Sequence, residues 1–414
     1  MVTEAGRVAE PAVSGAGTEL KTWDDGDLIA WIVAAAGRGR VAVDTSRAGF
    51  AFSPLISVPE LVARQTSAEA WLTLVRDGSV LGKDAWTLPE GSPDTRRVED
   101  AYRAGYSLVM RRLHLRVPAV SDLAHRLDAA LGDAGHILRR AVRSNLFASP
   151  AGAKGLALHH DDHEVAVLQL SGTKKWTVHE PAYRFPLSPP DRHLDAGDCR
   201  GVAFEGVLRP GSVLLVPRGF PHQASTDESP SVHITLGAEI CTWLDVINAV
   251  AAQAEPLRHN LPQGQISQPA AGGLWHQLAR ELGTLLDDDR MIRRALADLA
   301  EEGMRSAAGR SALADWDKPR PTVTPDTRVR RTAEALSTLV DLGGGDATLC
   351  TPTMRLDGSS EQRPLLDFLH TRREFVVAEL PGDLGDDMRV ELATRLCADR
   401  FLEIAGPDSR NDPQ

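Results

Sequence analysis

Between Ala141 and Glu239 the chain passes through five short β-type stretches, RSNLFAS, HEVAVLQL, KKWTVHE, GSVLLVP and SVHITLGAE, punctuated by Gly, Pro, Asn and Asp. Regularly spaced short strands of this kind point to a sandwich or barrel, with a jelly roll as the natural form. Ahead of them, from about Lys21 to Ala130, the pattern is mixed. It has an amphipathic start at Leu28, Trp31 and Ile32, and a helical stretch, SDLAHRLDAALG, that Ser121 can cap. After Ile240 the alternation stops. Trp243, Val246, Ile247 and Val250, then Leu274, Leu278, Leu282 and Leu285, then Ile292, Ala295, Leu296 and Leu299 recur at helical spacing, which predicts roughly three helices ending near Gly309. DWDKPRPTVTPDT reads as a linker. Beyond it, PLLDFLHTRREFVVAELPG and DDMRVELATRLCADRFLEIA predict two helices, the second leading into a short strand, which is the skeleton of a winged helix. The expected class is α+β, divided into a frayed N-terminus (1–20), a β-rich domain (21–240), a helical domain (241–316) and a winged-helix-like domain (317–414).

The β-rich region also carries the chemistry. LHHDDHEVAVLQLSGTKKW places three of the thirteen histidines and two acids within five residues, immediately before an apolar alternation. Residues two apart on a strand share a face, so His159 can converge with Asp161, or His160 with Asp162. Parity alone does not choose between the pairs, because a bulge shifts the register. A third ligand is offered by RPGSVLLVPRGFPHQA, where Gly211, Pro217 and Gly219 form tight corners and leave His222 at the start of a return strand. Two imidazoles and a carboxylate with open positions form the facial triad of non-haem Fe(II) oxygenases. Each motif alone is common in solvated turns; their co-occurrence in one β-rich region carries the signal.

The stretch from Asn145 through His222 resembles the JmjC-type ribosomal oxygenase (cupin-like) family, whose motif reads roughly H-[aromatic]-D-D-x-E-x-F-x-L-Q-L-x-G-x-K-x-W. Here HHDDHEVAVLQLSGTKKW keeps His159, Asp161, Gln169, Leu170, Gly172, Lys174 and Trp176 in register, and LLVPRGFPHQA supplies His222. The resemblance implies a double-stranded β-helix (jelly roll, cupin-type JmjC) core, a helical dimerisation domain, a C-terminal winged helix and a homodimer. It also implies Fe(II) held by the catalytic ligands His159, Asp161 and His222, with 2-oxoglutarate and O2 as co-substrates and succinate and CO2 as products. The target is an arginine or histidine side chain of a protein, in this family a ribosomal one. Lys174 is implied as the cation for the far carboxylate of 2-oxoglutarate. Asn145, fourteen residues before His159, can donate its amide to a co-substrate carboxylate, and His233 and Thr235 have the parity to face inward. Lys175 should face water, and Asp162 or Glu164 is the expected partner for the far nitrogens of the ligand imidazoles. The chain departs from the family at His160, at His163 in place of an aliphatic, and at the small pair Val165-Ala166.

Composition narrows the alternatives. With 42% apolar and 25% charged residues the chain is an ordinary globular protein. The first twenty residues lack a signal-peptide pattern, LIAWIVAAAG is too short to span a bilayer, and four widely spaced cysteines make no C-x-x-C pair, so a cytoplasmic protein without membrane contact is expected. A net charge of −11 disfavours direct nucleic-acid binding and suits a basic protein or peptide partner. Residues 331–414 hold 16 acids against 9 Lys/Arg, which argues against a non-catalytic winged-helix regulator on DNA. A tailoring hydroxylase of a peptide natural product, or a cupin working on another metal without 2-oxoglutarate, such as an isomerase or dioxygenase, is the alternative enzyme reading.

Overall fold

The computed structural model describes residues 21–65, 71–188, 194–258, 260, 272–306, 322–332 and 335–405. The expected frayed N-terminus, and most of the expected linker with its boundary at residue 316, lie outside them. The chain divides into two compact bodies, one of residues 1–130 and 142–239, the other of residues 131–141 and 240–414. Among the described residues no helix is long and apolar enough to cross a membrane.

The first body is built on β1 (Ala42–Asp44), β2 (Leu72–Arg76), β3 (Ser79–Val80), β4 (Ser107–Met110), β5 (Leu138–Ser149), β6 (Glu164–Ser171), β7 (Lys174–Pro181), β8 (Cys199–Leu208), β9 (Val213–Val216), β10 (His222–Ser225) and β11 (Ser231–Ile240). They form two sheets, β1-β9-β6-β11-β5-β4-β2-β3 and β10-β7-β8. The five stretches read from the sequence are β5, β6, β7, β9 and β11. Val165 and Val167 on β6 and Leu214 and Val216 on β9 pack against Trp176, Val178, Phe204 and Leu208 of the smaller sheet. Each such side chain contributes roughly 1.5–3 kcal/mol by leaving water. The turn from β6 to β7 requires glycine. Gly172 has φ 64°, and a Cβ there would lie 1.8 Å from the carbonyl oxygen of Pro230. This turn fixes the β7 register, in which Lys174, Trp176 and Val178 are buried while Lys175 is exposed.

Helices α1 (Asp25–Ala35), α2 (Val58–Ala63), α3 (Thr95–Arg103) and α4 (Pro118–Asp133) accompany these sheets. The first is capped by Asp24, which accepts from the Asp27 amide at 2.8 Å. The fourth corrects the expected cap: the helix starts at Pro118 rather than after Ser121, because proline's fixed φ and missing N–H suit a first helical turn.

In the second body α5 (Trp243–Gln253), α6 (Gly272–Leu286) and α7 (Asp289–Arg305) bring together Val246, Val250, Leu285, Ile292 and Ala295. Thr242 and Asp245 close a reciprocal capping box at the start of α5. Four strands not recognised in the sequence follow, β12 (Arg328–Arg331), β13 (Thr338–Gly343), β14 (Asp346–Cys350) and β15 (Arg355–Gly358); then come the first expected helix α8 (Arg363–Thr371), an unexpected strand β16 (Glu374–Val376), the second expected helix α9 (Asp386–Ala398) and the short strand after it, β17 (Leu402–Ile404). They pair as β16-β12-β17 and β13-β14-β15. The stretch PLLDFLHTRREFVVAELPG is therefore helical only through Thr371. Its aromatic and β-branched tail becomes β16, where Phe375 is buried with Val329, Leu369 and Leu396.

Candidate active site

His159 and His222 face each other in an isolated antiparallel bridge. The His222 amide donates to the His159 carbonyl at 2.7 Å and the His159 amide to the His222 carbonyl at 3.2 Å. Residues directly opposed in such a pair project to the same side, so the two imidazoles converge, with ring centroids 4.3 Å apart. Asp161 joins them two residues on, where its carbonyl accepts from the Gly219 amide at 2.8 Å. One ligand-type atom from each of His159, Asp161 and His222 lies within 4.8 Å of the others, and Asp161 Oδ2 is 3.7 Å from His222 Nε2.

The protonation pattern of this group fits a divalent metal. The Ala157 carbonyl lies 2.9 Å from His159 Nδ1, and the Phe220 carbonyl 2.9 Å from His222 Nδ1. A carbonyl can only accept, so each Nδ1 carries a hydrogen, and it is Nε2 that holds the lone pair whenever the ring is neutral. Burial, reinforced by His159, pushes His222 down to about 4, which keeps it neutral. Burial opposes ionisation of Asp161, but His222, His159, His163 and His160 outweigh it and hold the carboxyl below its ordinary range. The donors are thus two imidazoles with their Nε2 atoms turned to one point and a carboxylate, the set a facial site requires. The expected carboxylate partners of the imidazoles are replaced by backbone carbonyls two residues upstream. Asp162 instead takes His163 Nδ1 at 3.0 Å, and Glu164 Oε2 is buried without a partner.

These residues line a cavity of about 320 Å³ that also receives Asn145, Lys174, His233 and Thr235. Lys174 is 4% exposed. Its ammonium donates to Ser149 Oγ at 2.8 Å, and among the described residues no carboxylate pairs with it. Burial alone lowers it to about 8. Lys175, one position on, points outward and pairs with Glu205 at 3.0 Å. His233 stacks on Phe147 with centroids 4.8 Å apart and meets Trp176 edge-on at 5.5 Å. Burial, then the nearby Lys174, holds His233 well below the usual histidine range, and its Nδ1 is buried without a partner. Asn145 Oδ1 accepts from the Arg112 amide at 3.2 Å, which leaves the Asn145 amino group as the donor.

The sequence reading passed over Ser149 and Ser107, which also line the cavity. A signal for Ser149 existed: Asn145, Phe147 and Ser149 fall at a period of two on β5, so any of them facing inward implies the others. His163 lines the cavity too, and its ring occupies the space that a Cβ on Gly237 would fill, 2.8 Å from that position.

Comparison with known proteins agrees with this arrangement. Residues 123–246 match the JmjC domain family. Ribosomal oxygenase 2 of Bos taurus is 35% identical over 158 residues, covering 35% of this chain and 34% of that protein. Ribosomal oxygenase 1 of Bos taurus is 39% identical over 186 residues, covering 43% of this chain and 24% of that protein. The chain thus spans about a third or less of the length of these relatives. Among solved structures, Escherichia coli YcfD superposes with a TM-score of 0.55 at 17% identity, covering 94% of this chain and all of that one, a likeness of fold. Another structure of YcfD, described as a ribosomal oxygenase in complex with cobalt and 2-oxoglutarate, superposes at 0.52 with 16% identity. The bridged histidines and Asp161 therefore lie within a stretch, residues 123–246, that matches the JmjC domain family, in a chain similar to ribosomal oxygenases over 35% to 43% of its length and like YcfD in fold.

Proposed function

We propose that this chain is an Fe(II)- and 2-oxoglutarate-dependent oxygenase that hydroxylates an arginine or histidine side chain of a protein, a ribosomal one in the first instance. The observation that carries the reading is the pairing, inside one cavity, of a His/Asp/His ligand set with a buried ammonium that no carboxylate among the described residues pairs with. Fe(II) would be held by His159, Asp161 and His222, and when bound it supplies the O2 activation that couples decarboxylation of 2-oxoglutarate to oxygen insertion into a C–H bond. The remaining work falls to the protein. Lys174 provides the positive charge for the far carboxylate, His233 offers a ring nitrogen still in need of a partner, and the Asn145 amino group donates from β5. Trp176, Phe147 and Val165 supply apolar wall that keeps water from the site.

The finer parts of the proposal rest on separate observations. A homodimer through the helical region is supported by Trp243, Leu244 and Ile247, apolar residues left exposed on α5. A winged-helix role for the C-terminal segment is supported by α8 and α9 accompanying the sheet β16-β12-β17. Cytoplasmic residence is supported by four cysteines that are all free thiols. The presence of His163 in the cavity favours one second reading, a tailoring hydroxylase acting on a peptide natural product. Mass spectrometry of ribosomal proteins from wild-type and deletion strains separates the two. A one-oxygen mass increase that vanishes on deletion is expected; identical ribosomal proteins in both strains would transfer the activity to another peptide.

A further inference from the structure

Two hydroxyls beside Lys174 have no task in the reading above. Ser149 ends β5 and Ser107 opens β4, next to each other across the pairing in which Leu108 faces Ala148. Lys174 Nζ lies 2.8 Å from Ser149 Oγ, and Ser149 Oγ lies 3.0 Å from Ser107 Oγ. All three side chains are buried, at 4%, 1% and 2% exposure. The direction of this chain follows from the groups themselves. An ammonium only donates, so the Ser149 oxygen accepts from it, and with its second lone pair it accepts from the Ser107 hydroxyl. The Ser149 hydrogen is then free to turn into the cavity that all three residues line.

We propose that Ser149, backed by Ser107, is a positioning residue that holds the Lys174 ammonium ready for the far carboxylate of the co-substrate. The inference rests on the reading of Lys174 as the 2-oxoglutarate cation. A lysine side chain has four rotatable bonds, and a buried ammonium without a polar contact withdraws toward water or gives up its proton. The Ser149 oxygen fixes one of its three hydrogens, leaving two for the two oxygens of a carboxylate. Preorganisation of this kind appears in affinity, because the ordering is complete before the ligand arrives.

The test is calorimetric titration of 2-oxoglutarate into Mn(II)-loaded full-length protein, with Mn(II) affinity measured separately as a check on the fold. Ser149→Ala is expected to weaken 2-oxoglutarate binding about tenfold, the scale of one hydrogen bond to a charged group, and Ser107→Ala about threefold. Ser149→Thr, which keeps the hydroxyl, should restore most of the loss. In turnover the Ser149→Ala change should appear in the KM for 2-oxoglutarate far more than in kcat. If Ser149→Ala fails to bind Mn(II), Ser107→Ala, which does not touch the lysine, carries the same prediction. Wild-type affinity in Ser149→Ala or in Ser107→Ala, or a Ser149→Thr variant as weak as the alanine, would overturn the inference while leaving the oxygenase reading intact. A wild-type protein that binds Mn(II) but no 2-oxoglutarate would overturn both.

Discussion

A buried ammonium with no carboxylate beside it among the described residues is costly until an anion joins it, and Lys174 carries that cost in the form of a value lowered to about 8. The sign of the consequence is fixed. Binding of a carboxylate favours the charged form, so below about 8 the ammonium is already present and affinity for 2-oxoglutarate is flat. Above it each binding event must take up a proton, and affinity falls by up to about tenfold per pH unit until the pH reaches the raised value of the complex. Calorimetry in buffers of different ionisation enthalpy checks this directly, and proton uptake that is absent at alkaline pH would remove Lys174 from the role. His222 gives a second dependence. Its folded value of about 4 lies below its ordinary 6.5, so the unfolded chain binds the proton first. The metal-free protein should hold its stability above pH 6.5 and lose it as pH falls toward 4, as read from denaturant midpoints. At this scale spacing and residue type offered His159 with Asp161 or His160 with Asp162, and only the family resemblance singled out the trio that the structure brings within 4.8 Å. The partners of the imidazoles were not legible. Backbone carbonyls have no sequence signature, and whether one reaches Nδ1 depends on how the chain bends at Ala157 and Phe220.

The β6–β7 hairpin positions Lys174, and its tight turn has no room for a side chain at Gly172. Gly172→Ala would force an L side chain into φ 64° and against the Pro230 carbonyl, so a loss of several kcal/mol is expected, about the scale of a severe core mutation. The measurement is the shift of the thermal midpoint, together with loss of 2-oxoglutarate binding as the hairpin register slips. Trp176→Ala, in the core between the two sheets, should cost about 3–5 kcal/mol by chemical denaturation. In this body β5, β6, β7, β9 and β11 were readable because alternation and turn residues coincide there, whereas β1, β2, β3 and β8 were not read. The second body was harder. β12 is RVRR and β13 is TLVDLG, stretches too short or too mixed for alternation to show; β12 takes its strand state from a partner remote in sequence, Ile404 opposite Val329, and β13 from its hairpin with β14, Leu339 opposite Leu349. At α4 a serine with capping chemistry competed with a proline suited to start the helix, and the proline's fixed φ prevailed.

For the whole molecule, acidic charge and assembly set the remaining expectations. Trp243 is 83% exposed at the start of α5, an unusual position for the largest apolar side chain in a monomer. With the homodimer proposed through this helix, Trp243→Asp should shift the protein from dimer to monomer in sedimentation, and an unchanged mass would place the assembly elsewhere. The central claim is that His159, Asp161 and His222 hold one Fe(II) that turns over 2-oxoglutarate. Its most direct test is to load the full-length protein with Fe(II) without oxygen, add O2 and 2-oxoglutarate, and quantify succinate in wild type and in His222→Ala. Stoichiometric or catalytic succinate in wild type, lowered at least ~100-fold in the variant, is the predicted result. Equal succinate from both proteins, or none from a wild type that has bound its iron, would contradict the account.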